Sequence, residues 1–108
     1  IYVDDAARLT LEWIEYTIGN PQPYLIAIIA TGEPVALGQL IRLMQDVSRS
    51  KVPVALGTHA SSRAQVLDLR TSPSLIPGHQ APTLMSLPAG IKRVYLDILH
   101  RSQRESAI

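Results

Sequence analysis

Tyr24-Leu25-Ile26-Ala27-Ile28-Ile29-Ala30 is seven apolar residues in a row, preceded by Gly19-Asn20-Pro21 and followed by Thr31-Gly32-Glu33-Pro34. A continuous apolar run of strand length suits a strand covered on both faces, as in a helix-flanked parallel sheet. The Thr-Gly-Glu-Pro turn then leads into a helix over 34–48. Leu37, Leu40, Ile41, Met44 and Val47 carry its helical spacing, and Pro34 sits in the first turn, where a missing N–H costs nothing. Residues 52–56 read as a second strand. Strand, helix, strand makes a right-handed crossover with parallel strands the expected geometry.

Upstream, the spacing predicts a helix over 5–18. Ala7, Leu11, Ile14 and Ile18 form one stripe, flanked by Leu9, Trp13 and Tyr16, while Arg8, Glu12 and Glu15 share the opposite face. Asp4 or Asp5 supplies a cap, and Gly19-Asn20-Pro21 stops the helix. Downstream, 57–63 is a polar loop. Residues 64–69 read as a third strand at a sheet edge, because Asp68 and Arg70 share a face. The segment 71–89 holds Pro73, Pro77, Pro82, Pro88 and Gly78, so it is a long loop. Its Leu75, Ile76, Leu84, Met85 and Leu87 require part of it to dock, with 83–87 as a short strand. Residues 90–105 form a third helix with Ile91, Val94, Tyr95, Ile98 and Leu99 on one face; Asp97 stands four residues from both Arg93 and Arg101, a spacing for ion pairs. The expected fold is a single α/β domain over 1–108: a small, mainly parallel sheet of three to four strands flanked by three helices. An α+β arrangement is the alternative, because three short strands leave the pairing order open.

The 108 residues suffice for one core, and 46% hydrophobic against 18% charged residues is globular composition. Phe is absent, so the core is aliphatic with Trp13 as its largest piece. The absence of cysteine excludes disulfides, thiolate metal sites and cysteine nucleophiles. No apolar run reaches the roughly 18 residues of a membrane-spanning helix. No basic-then-apolar leader opens the chain, so an intracellular location is expected. The first residue is Ile1 rather than Met, which fits part of a larger protein. Residues 1–48 carry six acids against Arg8 and Arg42, and residues 49–108 carry eight bases against three acids, giving halves of −4 and +5. Such halves most simply neutralise each other as two solvated faces.

Tyr2-Val3-Asp4-Asp5 resembles the metal-binding aspartate motif in the palm of reverse transcriptases, which implies carboxylates on a hairpin holding magnesium. The residues that follow have helical spacing, and the chain lacks the further carboxylate that a palm takes from an upstream strand. The aspartates are therefore read as helix-start residues, favoured by the positive end of the dipole. His59, His79 and His100 are too scattered for a metal site. No nucleophile elbow and no phosphate-loop glycine motif occurs, so no catalytic residue, metal or cofactor is expected. The basic final helix (Lys92, Arg93, His100, Arg101, Arg104) has Tyr95 as its one aromatic, on the apolar face, so nucleic acid is not an expected partner.

Two functional expectations follow. The first is a non-enzymatic protein-interaction or regulatory domain, whose partner is another protein or another domain of the same protein. Leu75, Ile76, Leu84 and Met85 of the proline-rich loop would bind that partner. The alternative is a small-ligand domain. Ligands collect beyond the carboxyl ends of parallel strands, and that edge would gather Thr31, Gly32, Gly57, Thr58, His59, Ser61, Ser62 and Arg63 around an anion or nucleotide.

Overall fold

A computed structural model describes residues 1–55, 57 and 70–106. Among these, three helices are present and no strand: α1 (Val3–Gly19), α2 (Leu37–Ser48) and α3 (Leu87–Ser106). The expected α/β fold with a parallel sheet is therefore corrected to an all-helical one over the described residues, and the α+β alternative falls with it. Residues 24–30 form no ladder. The Ser74 N–H donates to the Ile28 carbonyl at 2.9 Å, and the Ile28 N–H donates to the Ser74 hydroxyl at 2.9 Å. Among the described residues that is one backbone-to-backbone bond, where a strand pair needs a row of them. Residues 52–55 are likewise not a strand, and neither are 83–86, which lead into α3. Position 56 and the expected strand over 64–69 lie outside the described residues. The helices close their hydrogen bonds inside each segment. A strand depends on a neighbour that local sequence does not supply, so apolar runs alone fail to make a sheet.

The chain divides into two compact units, one of Ile1–Glu33 with Arg70–Leu87, the other of Pro34–Leu69 with Pro88–Ile108. In the first, α1 begins after Tyr2 with no side-chain cap. Asp4 and Asp5 lie in its first turn instead of capping it, where their charge favours the helix dipole. At the other end, the Asn20 backbone N–H and side-chain amide both donate to the Tyr16 carbonyl, at 2.9 and 3.1 Å. The inward face of α1 is centred on buried Leu9, with Tyr2, Asp5, Ala6, Glu12, Trp13, Tyr16 and Thr17 half-buried around it at helical spacing. Trp13 and Tyr16 meet edge to face, their ring centroids 5.8 Å apart. Leu9, 8% exposed, and Ile76, 6% exposed, form the apolar centre of this unit.

Ile76-Pro77-Gly78-His79 makes a tight turn in which the His79 N–H donates to the Ile76 carbonyl at 3.0 Å. Pro77 presets its own φ, and Gly78 takes the φ of +80° that the next position of a type II turn requires. Gly32 has φ +78°, and a Cβ there would sit 3.0 Å from Pro73 Cδ. Both the backbone conformation and the close approach of the 71–74 chain call for glycine at that position.

In the second unit, α2 starts after Ala36 rather than at Pro34, with the Leu40 N–H donating to the Ala36 carbonyl at 3.1 Å. Leu40, Ile41, Leu43 and Val47 are half-buried, whereas Leu37 and Met44 are exposed. Arg49 ends the helix in the left-handed region at φ 54°, and the Ser50 N–H reaches back to the Gln45 carbonyl at 3.2 Å. In α3, Pro88 lies in the first turn, Gly90 is buried, and Ile91 and Tyr95 are half-buried. Val94, Ile98 and Leu99 of its expected apolar face are exposed. Arg8 forms an ion pair with Asp5, and Asp97 pairs with neither Arg93 nor Arg101.

Candidate functional site

Asp5 and Arg8, one turn apart on α1, hold the end of the proline-rich segment by its backbone. Asp5 Oδ2 accepts from the Met85 N–H at 2.7 Å. Arg8 Nη2 donates to the Thr83 carbonyl at 3.2 Å and to Asp5 Oδ1 at 3.3 Å. A carboxylate and a guanidinium thus offer an acceptor and a donor to two backbone groups two residues apart, as a neighbouring strand would. This clamp lays 83–85 along α1 and leaves a cleft between that helix, the 28–31 chain and the 73–84 chain.

The cleft has a volume of about 120 Å³. Small-molecule sites typically have about 300–1,000 Å³, and a cavity of about 150 Å³ holds one benzene ring. The space therefore suits a single apolar side chain rather than a nucleotide. Its walls agree, with Leu9, Trp13, Ile28, Leu75, Ile76 and Leu84 among them. Glu12 also lines it, and a carboxylate there opposes an anion.

Of the residues expected at an anion site, Thr31 lines this cleft and Gly32 follows it. The Thr31 hydroxyl accepts from the Glu33 N–H at 3.2 Å, so that amide is already occupied. The α2 N-cap is Ala36, which puts Thr31 and Gly32 outside the first turn of that helix. Thr58, His59, Ser61, Ser62 and Arg63 lie outside the described residues. No strand is present among the described residues, so no sheet edge gathers Thr31 and Gly32. The described residues also bring no three His, Asp or Glu side chains together in a metal-binding group.

The expected partner-binding residues divide. Ile76 is buried in its own unit and Leu84 is half-buried in the cleft wall, while Leu75 and Met85 remain 54% and 36% exposed. A larger apolar surface lies elsewhere. On α1 the stripe Val3, Ala7, Leu11, Ile14 and Ile18 is opposite the Leu9 face and points away from the unit. Val3 is 68% exposed, Leu11 61%, Ile14 49% and Ile18 75%. Tyr24 and Ile26 of the 24–30 run are 80% and 82% exposed. The α1 stripe was legible as apolar, but its role was not. The available sign was excess: α1 carries two apolar stripes on opposite faces, and one neighbour covers only one of them.

No helix among the described residues is long and apolar enough to cross a membrane. Comparison with protein-family models, with curated proteins and with solved structures finds no match to this chain.

Proposed function

We propose that this chain is a non-enzymatic protein-interaction module, and that the outward face of α1 is its contact surface. The observation that carries the reading is the exposed stripe of Val3, Leu11, Ile14 and Ile18 on a helix whose other face is already packed. Four aliphatic side chains left from about half to three quarters in water present on the order of 500 Å² of apolar surface, the upper end of what a monomer's largest patch shows. Returning each of them to an apolar environment is worth about 1–2 kcal/mol. Leu75 and Met85 add exposed apolar atoms on the proline-rich segment. The cleft supports the same class of function, since its size suits one side chain. Its volume and the Glu12 carboxylate weigh against an anion or nucleotide occupying it.

The test is photo-crosslinking in the cell, with benzoylphenylalanine replacing Leu11 or Ile14 on α1 and, as control, exposed Gln103 on α3. The expected result is a polypeptide adduct at both α1 positions and little at Gln103, with mass spectrometry identifying the adduct. Equal yields at all three positions, or adducts at none, would remove the interaction reading.

A further inference from the structure

We infer that the occupant of the outward face of α1 is a second copy of the same chain, its α1 packed antiparallel to the first. This rests on the interaction reading above and names the partner for it. Ala7, Leu11, Ile14 and Ile18 follow one another by four, three and four residues. That is the seam of two helices that cross at a shallow angle, with Ala7 and Ile14 at one kind of seam position and Leu11 and Ile18 at the other. In an antiparallel pair Leu11 meets Ile14 of the second copy, and Ala7 meets Ile18. The small and the large residue at the ends of the seam thereby complement each other.

Charge selects the direction. Arg8 and Glu15 each follow a seam residue and so flank the seam on the same side of it. In the antiparallel pair Arg8 faces Glu15 of the second copy, and by the two-fold axis Glu15 faces its Arg8, so one contact is made twice. A parallel pair would set Arg8 against Val3 and Glu15 against Thr10, with no charge matched. Arg8 is available for this role, because its hydrogen bonds among the described residues use Nη2 alone and its side chain remains 46% exposed. Two such faces bury on the order of 1,000 Å² together, the lower limit for a specific interface, which puts the dimer among weak, transient ones.

Sedimentation velocity on the 108-residue chain, from low micromolar to near-millimolar concentration, provides the test. The expected result is a monomer–dimer equilibrium that Ile14→Glu abolishes. Glu15→Arg, which sets two guanidinium groups against each other by placing one opposite Arg8 of the other copy, should weaken it about tenfold. Circular dichroism should report unchanged helix in both variants, since the two side chains face water. Orientation is read from nitroxide labels on Asp4→Cys, unambiguous in a cysteine-free chain. The antiparallel seam separates the two positions 4 by about 17 helical rises, or about 26 Å along the axis, whereas a parallel pair leaves them about 10 Å apart. A monomer at every concentration, a dimer indifferent to Ile14→Glu, or a short label distance would each overturn the inference. A monomer whose Ile14 still crosslinks a different protein overturns the dimer alone and leaves the interaction module standing. A monomer with no preferential crosslink removes both.

Discussion

Gly32 and Asp5 show how much of the first unit depends on single atoms. At Gly32 the φ of +78° disfavours any L side chain, and Pro73 Cδ stands 3.0 Å from where a Cβ would be. Gly32→Ala should therefore lower stability by about 1–3 kcal/mol, read as an earlier denaturant midpoint. The bland alternative, a surface glycine kept for solubility, predicts no shift. Asp5 was legible as a helix-start residue, and it lies in the first turn as that chemistry requires. Its bond to the Met85 N–H was not legible, because the two residues are 80 apart in sequence. Asp5→Ala should cost about 1–2 kcal/mol, with the exposure of the pair holding it below the value of a buried charged bond. Hydrogen exchange locates the loss: the Met85 amide should exchange faster, while amides in the middle of α1 should slow or quicken only with global stability. Unchanged protection at Met85 would mean that the clamp contributes nothing.

The helices were legible as elements because their periodicity is local. The expected spans 5–18, 34–48 and 90–105 correspond to Val3–Gly19, Leu37–Ser48 and Leu87–Ser106, with the differences confined to the ends. Which face of α1 turns inward was not legible, because both stripes have helical spacing and both are apolar. Charge placement misled as well: Glu12 was grouped with Arg8 and Glu15 on an outer face, yet it is half-buried at the cleft. The two stripes differ in what a truncation does. Leu9→Ala should destabilise the chain by about 2–4 kcal/mol through lost burial and a residual cavity. Ile14→Ala should change stability by less than about 0.5 kcal/mol, since that side chain is half in water and Ala is the better helix former. Thermal unfolding of the pair checks this, and equal losses would reverse the assignment of faces.

For the molecule as a whole, the decisive feature is the apolar run 24–30. Tyr24 and Ile26 are 80% and 82% exposed, and the run carries no ladder. Such a segment, rich in β-branched residues and free of charge and proline, is a template for intermolecular pairing. Ile26→Lys should reduce the turbidity that develops on concentration while leaving the unfolding midpoint within about 0.5 kcal/mol of the parent. Turbidity unaffected by the substitution would place the aggregation-prone surface elsewhere, with α1 next in line. By itself the sequence determined the three helices of the described residues, their approximate spans, the turn at Thr31-Gly32 and the absence of cysteine chemistry. These rest on spacings of three and four residues, on backbone freedom at glycine and on composition, all of which act within a few bonds. The tertiary structure decided that, among the described residues, the apolar run pairs with a single serine rather than with a strand. It also decided which face of α1 is spent on the unit's own core, and where Asp5 and Arg8 reach. Each of these depends on which distant segment arrives alongside, and hydrophobicity, being non-directional, favours burial without saying against what.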